Sequence, residues 1–145
     1  MLPTLVRFLL VEDDDDHAEI IQRTMQQHRI NNALERVVDG VEALAYVRGE
    51  GGYAGRQRPD VMLLDLKLPR MDGHQVLEAV KSDPDLANIA VVVLTTSNAE
   101  TDRAKAYERH ANSYLIKPID YSRFQQLVND LGLYWGIWNQ YPPQS

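Results

Sequence analysis

Three short, almost wholly apolar runs, Val6 to Val11, Val61 to Leu64 and Ile89 to Leu94, constrain this chain more than any other feature. Each is too short for an ordinary helix, lacks the alternation of a half-exposed strand and ends at polar residues, so each reads as a strand buried on both faces. Such a strand needs helices above and below it, and the intervening segments supply apolar stripes at helical spacing. Ile20, Ile21, Thr24 and Met25 form one stripe, Val41, Leu44, Ala45 and Val47 a second, and Val76, Leu77 and Val80 a third. A weaker strand, Leu34 to Val38, separates the first two stripes. Another, Ser113 to Ile116, follows a polar fourth helix near 98–109, and Phe124, Leu127, Val128 and Leu131 mark a fifth helix stopped by Gly132. Five successive strand–helix units predict an α/β protein: a doubly wound, five-stranded parallel sheet with five helices. The glycine-rich segment 49–59 reads as a surface loop.

With 145 residues and 44% apolar composition, the expectation is one domain with a sizeable core. The chain carries 15 Lys and Arg against 21 Asp and Glu, a net charge of −6, and no basic cluster, which speaks against nucleic-acid binding. It has no cysteine, so disulfides, thiolate metal sites and cysteine nucleophiles are excluded, and no apolar run approaches a bilayer span. With no signal-peptide pattern either, the expectation is a cytoplasmic protein off the membrane.

In open parallel sheets ligands collect beyond the carboxyl ends of the strands. The residues expected there are Glu12 and Asp13 after the first run, Asp65 after the third strand, Thr95 after the fourth and Lys117 after the fifth. Three carboxylates about 5 Å apart repel by roughly 3 kcal/mol per pair at an effective dielectric near 20, so the group must hold a cation or a proton. Oxygen ligands with no adjacent cysteine or histidine favour Mg²⁺, with Mn²⁺ as a substitute, over zinc or copper. Magnesium commonly bridges carboxylate and phosphate oxygens, which points to phosphoryl chemistry with Asp65 as a carboxylate nucleophile, Lys117 balancing charge and Thr95 donating a hydrogen bond.

The strings LLVEDD at 9–14, LLDLKLPRMDG at 63–73 preceded by Met62, LTTS at 94–97 and YLIKP at 114–118 resemble the receiver domain of two-component response regulators, the CheY-like family. The resemblance covers residues 6 to 131. It implies a flavodoxin-like fold with strand order 2-1-3-4-5, and transfer of a phosphoryl group from the phosphohistidine of a sensor histidine kinase to Asp65. It also implies that Asp13, Asp65 and the backbone carbonyl of Lys67 ligate Mg²⁺, with Glu12 acting through water. Thr95 and Lys117 would contact the phosphoryl group, Tyr114 would be an aromatic switch, and the bond preceding Pro118 would be cis. The Val-Glu-Asp opening, VLTTSN at 93–98, ANSYL at 111–115 and the aromatic tail resemble, more narrowly, single-domain regulators of phytochrome-type kinases.

Departures from the common pattern carry expectations of their own. Glu12 stands where Asp is more usual, and Thr96 where many receivers have Ala or Gly. Lys67 and Ser97, together with Thr96, occupy positions that tune phosphoryl lifetime in the family. The expected organisation is a receiver domain at 1–131 and an aromatic extension at 132–145, with no separate output domain. Output then passes through binding of an unidentified downstream protein, and a homodimer is expected through the fourth helix, fifth strand, fifth helix and tail, since exposed Tyr and Trp favour interfaces.

Plainer readings stand beside these. Asp14, Asp15 and Asp16 suit an acidic helix start, and Tyr114 can be an ordinary strand aromatic. His17, His28, His74 and His110 share no metal-like spacing and read as surface residues. A dehalogenase-type aspartyl-phosphate phosphatase would need an acid/base Asp where Lys67 stands, and no P-loop string is present. A phosphorylation-independent adaptor would have little use for the full set of Asp, Thr and Lys. The expectation is a signalling protein rather than a multiple-turnover enzyme.

Overall fold

The computed structural model describes residues 6–27, 32–95, 111–117 and 121–130. Their order is β1 (Val6–Val11), α1 (Asp15–Gln27), β2 (Asn32–Val37), α2 (Gly40–Arg48), a 3₁₀ turn (Gly51–Tyr53), β3 (Val61–Asp65), α3 (Gly73–Ser82), β4 (Ala90–Thr95), β5 (Ser113–Ile116) and α4 (Tyr121–Asp130), which is the fifth helix expected from sequence. The expected fourth helix at 98–109 and the extension from 132 onward lie outside the described residues.

All strand pairs are parallel and the order is β2-β1-β3-β4-β5. The apolar runs are unbroken because strand pleating sends successive side chains to opposite faces, and here both faces are cores. Leu9 and Val11 of β1, Met62 and Leu64 of β3 and Val91 and Val93 of β4 join Ala43, Leu44 and Val47 of α2 and Val76, Leu77 and Val80 of α3. Phe8 and Leu10, Val61 and Leu63, and Val92 and Leu94 face the other way, onto Ala18, Ile21 and Met25 of α1 and Phe124 and Leu127 of α4. Full burial of each such side chain is worth about 1.5–3 kcal/mol.

Two expected helical stripes hold in most positions, with Ile21, Thr24 and Met25 of α1 and Leu44 and Val47 of α2 buried, and differ at one position each. Ile20 is 40% and Val41 42% exposed, while Ala18 in α1 and Ala43 and Tyr46 in α2 are buried. Adjacent residues lie about 100° apart around a helix, so burying Ile21 turns Ile20 outward. Tyr46 is buried because the segment after α2 folds back over it. The rings of Tyr46 and Tyr53 lie 5.1 Å apart, the Arg56 guanidinium sits 5.7 Å from both, and the Tyr53 hydroxyl donates to Glu42 at 2.7 Å. The expected loop at 49–59 is therefore pinned in place. Gly49 ends α2 at φ 68°, a left-handed cap that favours glycine.

Strand ends also shift slightly: β2 covers Asn32–Val37, β3 runs on to Asp65, and β4 covers Ala90–Thr95. Asp65 and Thr95 thus close their strands at the carboxyl edge of the sheet.

Candidate functional site

At that edge β1 passes into a tight turn. The backbone N–H of Glu12 donates to the Val37 carbonyl at 3.1 Å, keeping Glu12 in line with the sheet. Arg36 of β2 donates from Nε to the Glu12 carbonyl at 2.9 Å and pairs with Asp15 at 2.8 Å, tying the strand end to the start of α1. The Asp14 carboxylate caps that helix, accepting from the N–H groups of Asp16 and His17 at 2.9 and 3.0 Å. These bonds hold Asp14 below the usual carboxylate range, with that from His17 contributing most.

Glu12 is fully buried and Asp65 is 7% exposed, whereas Asp13 is open to solvent. One carboxylate oxygen of each lies within 4.8 Å of the others. Lys117, 5% exposed in its side chain, reaches across from the end of β5. Its ammonium bonds Glu12 Oε1, donates to Asp65 Oδ2 at 3.1 Å and approaches His17 Nδ1 at 3.1 Å. The second oxygen of Asp65, Oδ1, accepts from the Lys67 backbone N–H at 3.0 Å.

Burial and the neighbouring Asp65 push Glu12 up to about 8, with Lys117 opposing them. For Asp65, burial raises the value, but the neighbouring Glu12, the Lys67 N–H and Lys117 outweigh it and the net shift is downward. A proton entering the pair therefore resides on Glu12 and leaves Asp65 ionised.

The turn after Asp65 is shaped by close packing. A Cβ on Gly73 would lie 2.3 Å from the Asp65 carbonyl oxygen, and one on Gly40 would lie 2.3 Å from the Met71 carbonyl oxygen. Arg70 sits at φ 65° and its guanidinium reaches Asp39 Oδ2 at 2.8 and 2.9 Å. Asp39 Oδ1 meanwhile caps α2 at Glu42 N–H, 2.8 Å away. An open cleft of about 430 Å³ beside this turn is lined by Asp13, Lys67, Pro69, Asp72 and His74 among others.

The three carboxylates and their surroundings fit a hard divalent cation. The donors are all oxygen, and Glu12 Oε2 is buried with no hydrogen-bond partner among the described residues. At an effective dielectric near 20 a pair of unit charges 4.8 Å apart costs about 3 kcal/mol, which a cation relieves.

Of the expected site residues, Glu12, Asp13, Asp65, Lys67 and Lys117 converge. Thr95 ends β4, whose preceding residue Leu94 pairs with Asp65. Tyr114 pairs with Val93 and packs, half-buried, against the core beneath α2 and α3. Thr96, Ser97 and Pro118, with its expected cis bond, lie outside the described residues. The expectation that His17 is a plain surface residue is corrected: its side chain is 36% exposed, yet its ring closes on Lys117 and stands 3.4 Å from Glu12 Oε1. No local signal pointed to this, since the partner Lys117 lies 100 residues away. The Arg70–Asp39 clamp and the Arg36 tie had no local signal.

The sheet order and its acidic carboxyl edge define a CheY-like α/β protein. The chain belongs to the response regulator receiver domain family, which it matches over residues 8–129. It is 44% identical over 135 residues to a protein of Methanothrix harundinacea named a probable methanogenesis regulatory protein, FilR2, covering 92% of this chain and 86% of that one. It is 39% identical over 127 residues to the response regulator Rcp1 of Synechocystis sp., covering 88% and 86%. The structure of Mn²⁺-bound Rcp1 superposes with a TM-score of 0.76 at 38% identity, covering 90% of this chain and 94% of that one. That of phosphorylated RcpA, a cyanobacterial phytochrome response regulator, gives 0.79 at 41% identity, covering 91% and 94%.

Proposed function

We propose that Asp65 accepts a phosphoryl group from the phosphohistidine of a sensor histidine kinase in a Mg²⁺-dependent reaction. The observation that carries this reading is the hold on Asp65: one oxygen on the Lys67 N–H, the other on the Lys117 ammonium, with Glu12 and Asp13 alongside. An ionised Asp65 oxygen attacks phosphorus as the P–N bond to the kinase imidazole breaks and the imidazole leaves with its electron pair. Asp13 and Asp65, the Lys67 carbonyl and, through water, Glu12 would hold the ion, which when bound neutralises the approaching phosphoryl oxygens; Mn²⁺ would substitute for Mg²⁺. Lys117 turns from its carboxylate partners toward a phosphoryl oxygen and Thr95 donates to another. Tyr114 then follows as the switch residue, and Lys67, Thr96 and Ser97 set the lifetime of the product.

The finer assignments are part of the same proposal. The kinase is phytochrome-type, a reading supported by the likeness to Rcp1 and RcpA. Residues 1–131 act as the receiver and 132–145 as an aromatic extension. Output is a change in protein–protein binding, including a homodimer through segment 98–109, β5, α4 and the extension and a contact with an unidentified downstream protein. The protein acts in the cytoplasm; among the described residues no helix is long and apolar enough to cross a membrane. Phosphorylation shifts a pre-existing equilibrium, so a swing of a few kcal/mol suffices. Autophosphorylated kinases from one organism, offered in turn, test the reading: a phytochrome-type kinase should transfer fastest to wild type and not at all to Asp65→Asn. Equal transfer to both proteins would refute it.

A further inference from the structure

We propose that His17 is a positioning residue for Lys117, its Nδ1 lone pair aiming the ammonium at Asp65. The inference rests on the reading of Asp65 as phosphoacceptor and Lys117 as the phosphoryl contact. A lysine ammonium has three N–H bonds and accepts none. Here the three meet three partners: Glu12 Oε1, Asp65 Oδ2 at 3.1 Å and His17 Nδ1 at 3.1 Å.

Lys117 can only donate, so for His17 to receive its third N–H the Nδ1 lone pair must face the ammonium, 3.1 Å away, rather than carry a proton toward Glu12 Oε1, 3.4 Å away, and the ring proton then sits on Nε2. That edge faces the Asp14 carboxylate, whose Oδ2 is 3.9 Å away and whose Oδ1 is fixed by the N–H groups of Asp16 and His17. The imidazole thus stands between the Asp14 carboxylate and the ammonium that reaches Asp65. A carboxylate in place of His17 would add a fourth negative charge to a site that must receive a phosphoryl group. A neutral imidazole supplies direction and adds no charge.

The ring also covers the ammonium. The Lys117 side chain is 5% exposed and that of His17 36%, so removing the ring opens the third N–H to water. A Lys117 free to share that bond with solvent spends less time against Asp65, and phosphoryl uptake slows.

Three variants separate the acceptor from the bulk. His17→Asn places Oδ1 where Nδ1 stands, His17→Leu keeps volume without an acceptor, and His17→Ala removes both. With phosphoramidate and Mg²⁺, His17→Ala and His17→Leu should phosphorylate about five- to tenfold more slowly, the effect of one net hydrogen bond, and His17→Asn should stay within about twofold of wild type. In the unphosphorylated protein, the ¹⁵Nζ–H signal of Lys117 should be protected in wild type and His17→Asn and lost in the other two. That signal reports on the contact even where no phosphoryl group is taken up, whereas failure of wild type to label Asp65 would strike the functional reading itself. His17→Leu behaving as wild type in rate and Nζ signal would overturn the proposal, and so would a folded His17→Asn as slow as His17→Ala.

Discussion

Glu12 and Asp65 form a pair of acids in which burial decides where a proton goes. Glu12, raised from 4.5 to about 8 by burial and by Asp65, takes it, and Asp65, lowered from 3.8, stays ionised as a nucleophile requires. In the metal-free protein a group raised in the folded state contributes stability that is fully present below its unfolded value, 4.5, and is lost as pH climbs through about 8. Asp65 and Asp14, both lowered, contribute in the opposite sense: their stability is present above 3.8 and lost as pH falls through their lower folded values. Between these limits the Glu12 contribution falls as pH rises. Under the proposed function an ionised Glu12 favours the ion, so Mg²⁺ affinity should rise between roughly pH 6 and 8, with proton release visible as a dependence of calorimetric heat on buffer ionisation. Glu12→Gln should remove both; an unchanged proton release in that variant would show that another group supplies the proton. The carboxylates and Lys117 were legible in sequence because each follows a buried strand, and the ligand edge of a parallel sheet is known from topology. His17 was not, because its partner Lys117 is 100 residues distant and only the assembled fold brings them within 3.1 Å.

At the scale of elements, the turn between β3 and α3 sets where Asp65 and the Lys67 carbonyl stand. Three contacts fix it: Gly73 against the Asp65 backbone, the capping box of Asp72 with Gln75 at the start of α3, and Arg70 on Asp39. The Pro69 and Asp72-Gly73 signals announced a turn, but not the clamp, since Arg70 and Asp39 meet only when α2 and α3 pack side by side on one face. Helix faces were legible as stripes, but drawn one residue too wide where neighbours were both apolar, as at Ile20 and Ile21, because hydrophobicity alone does not choose between them. Gly73→Ala puts a methyl into backbone it cannot enter and should cost about 1–3 kcal/mol, read by denaturant unfolding, with slower phosphoryl uptake in the protein that remains folded. A Gly73→Ala protein of wild-type stability would mean that the turn yields more readily than its packing implies.

For the whole molecule, the topology was legible because unbroken apolar strands leave few arrangements. Even and odd positions of β1, β3 and β4 feed two cores, so both faces of the sheet are packed, and Glu12, Asp65 and Lys117 gather at its carboxyl edge. Among the described acids, Glu12, Asp13 and Asp65 gather within 4.8 Å and most of the others are solvated, as the exposed Asp14, Asp15 and Asp16 are. The fold thereby joins two distant sequence motifs, one closing β1 and one closing β3, with the lysine at the end of β5. That convergence means nothing unless a phosphoryl group is accepted there. The most direct measurement is intact-mass analysis after incubation with phosphoramidate, followed by reductive trapping and peptide mapping. A single adduct that maps to Asp65, requires Mg²⁺ or Mn²⁺ and is absent from Asp65→Asn is the predicted result. An adduct on another residue, or one formed equally by Asp65→Asn or in the presence of chelator, would contradict the account.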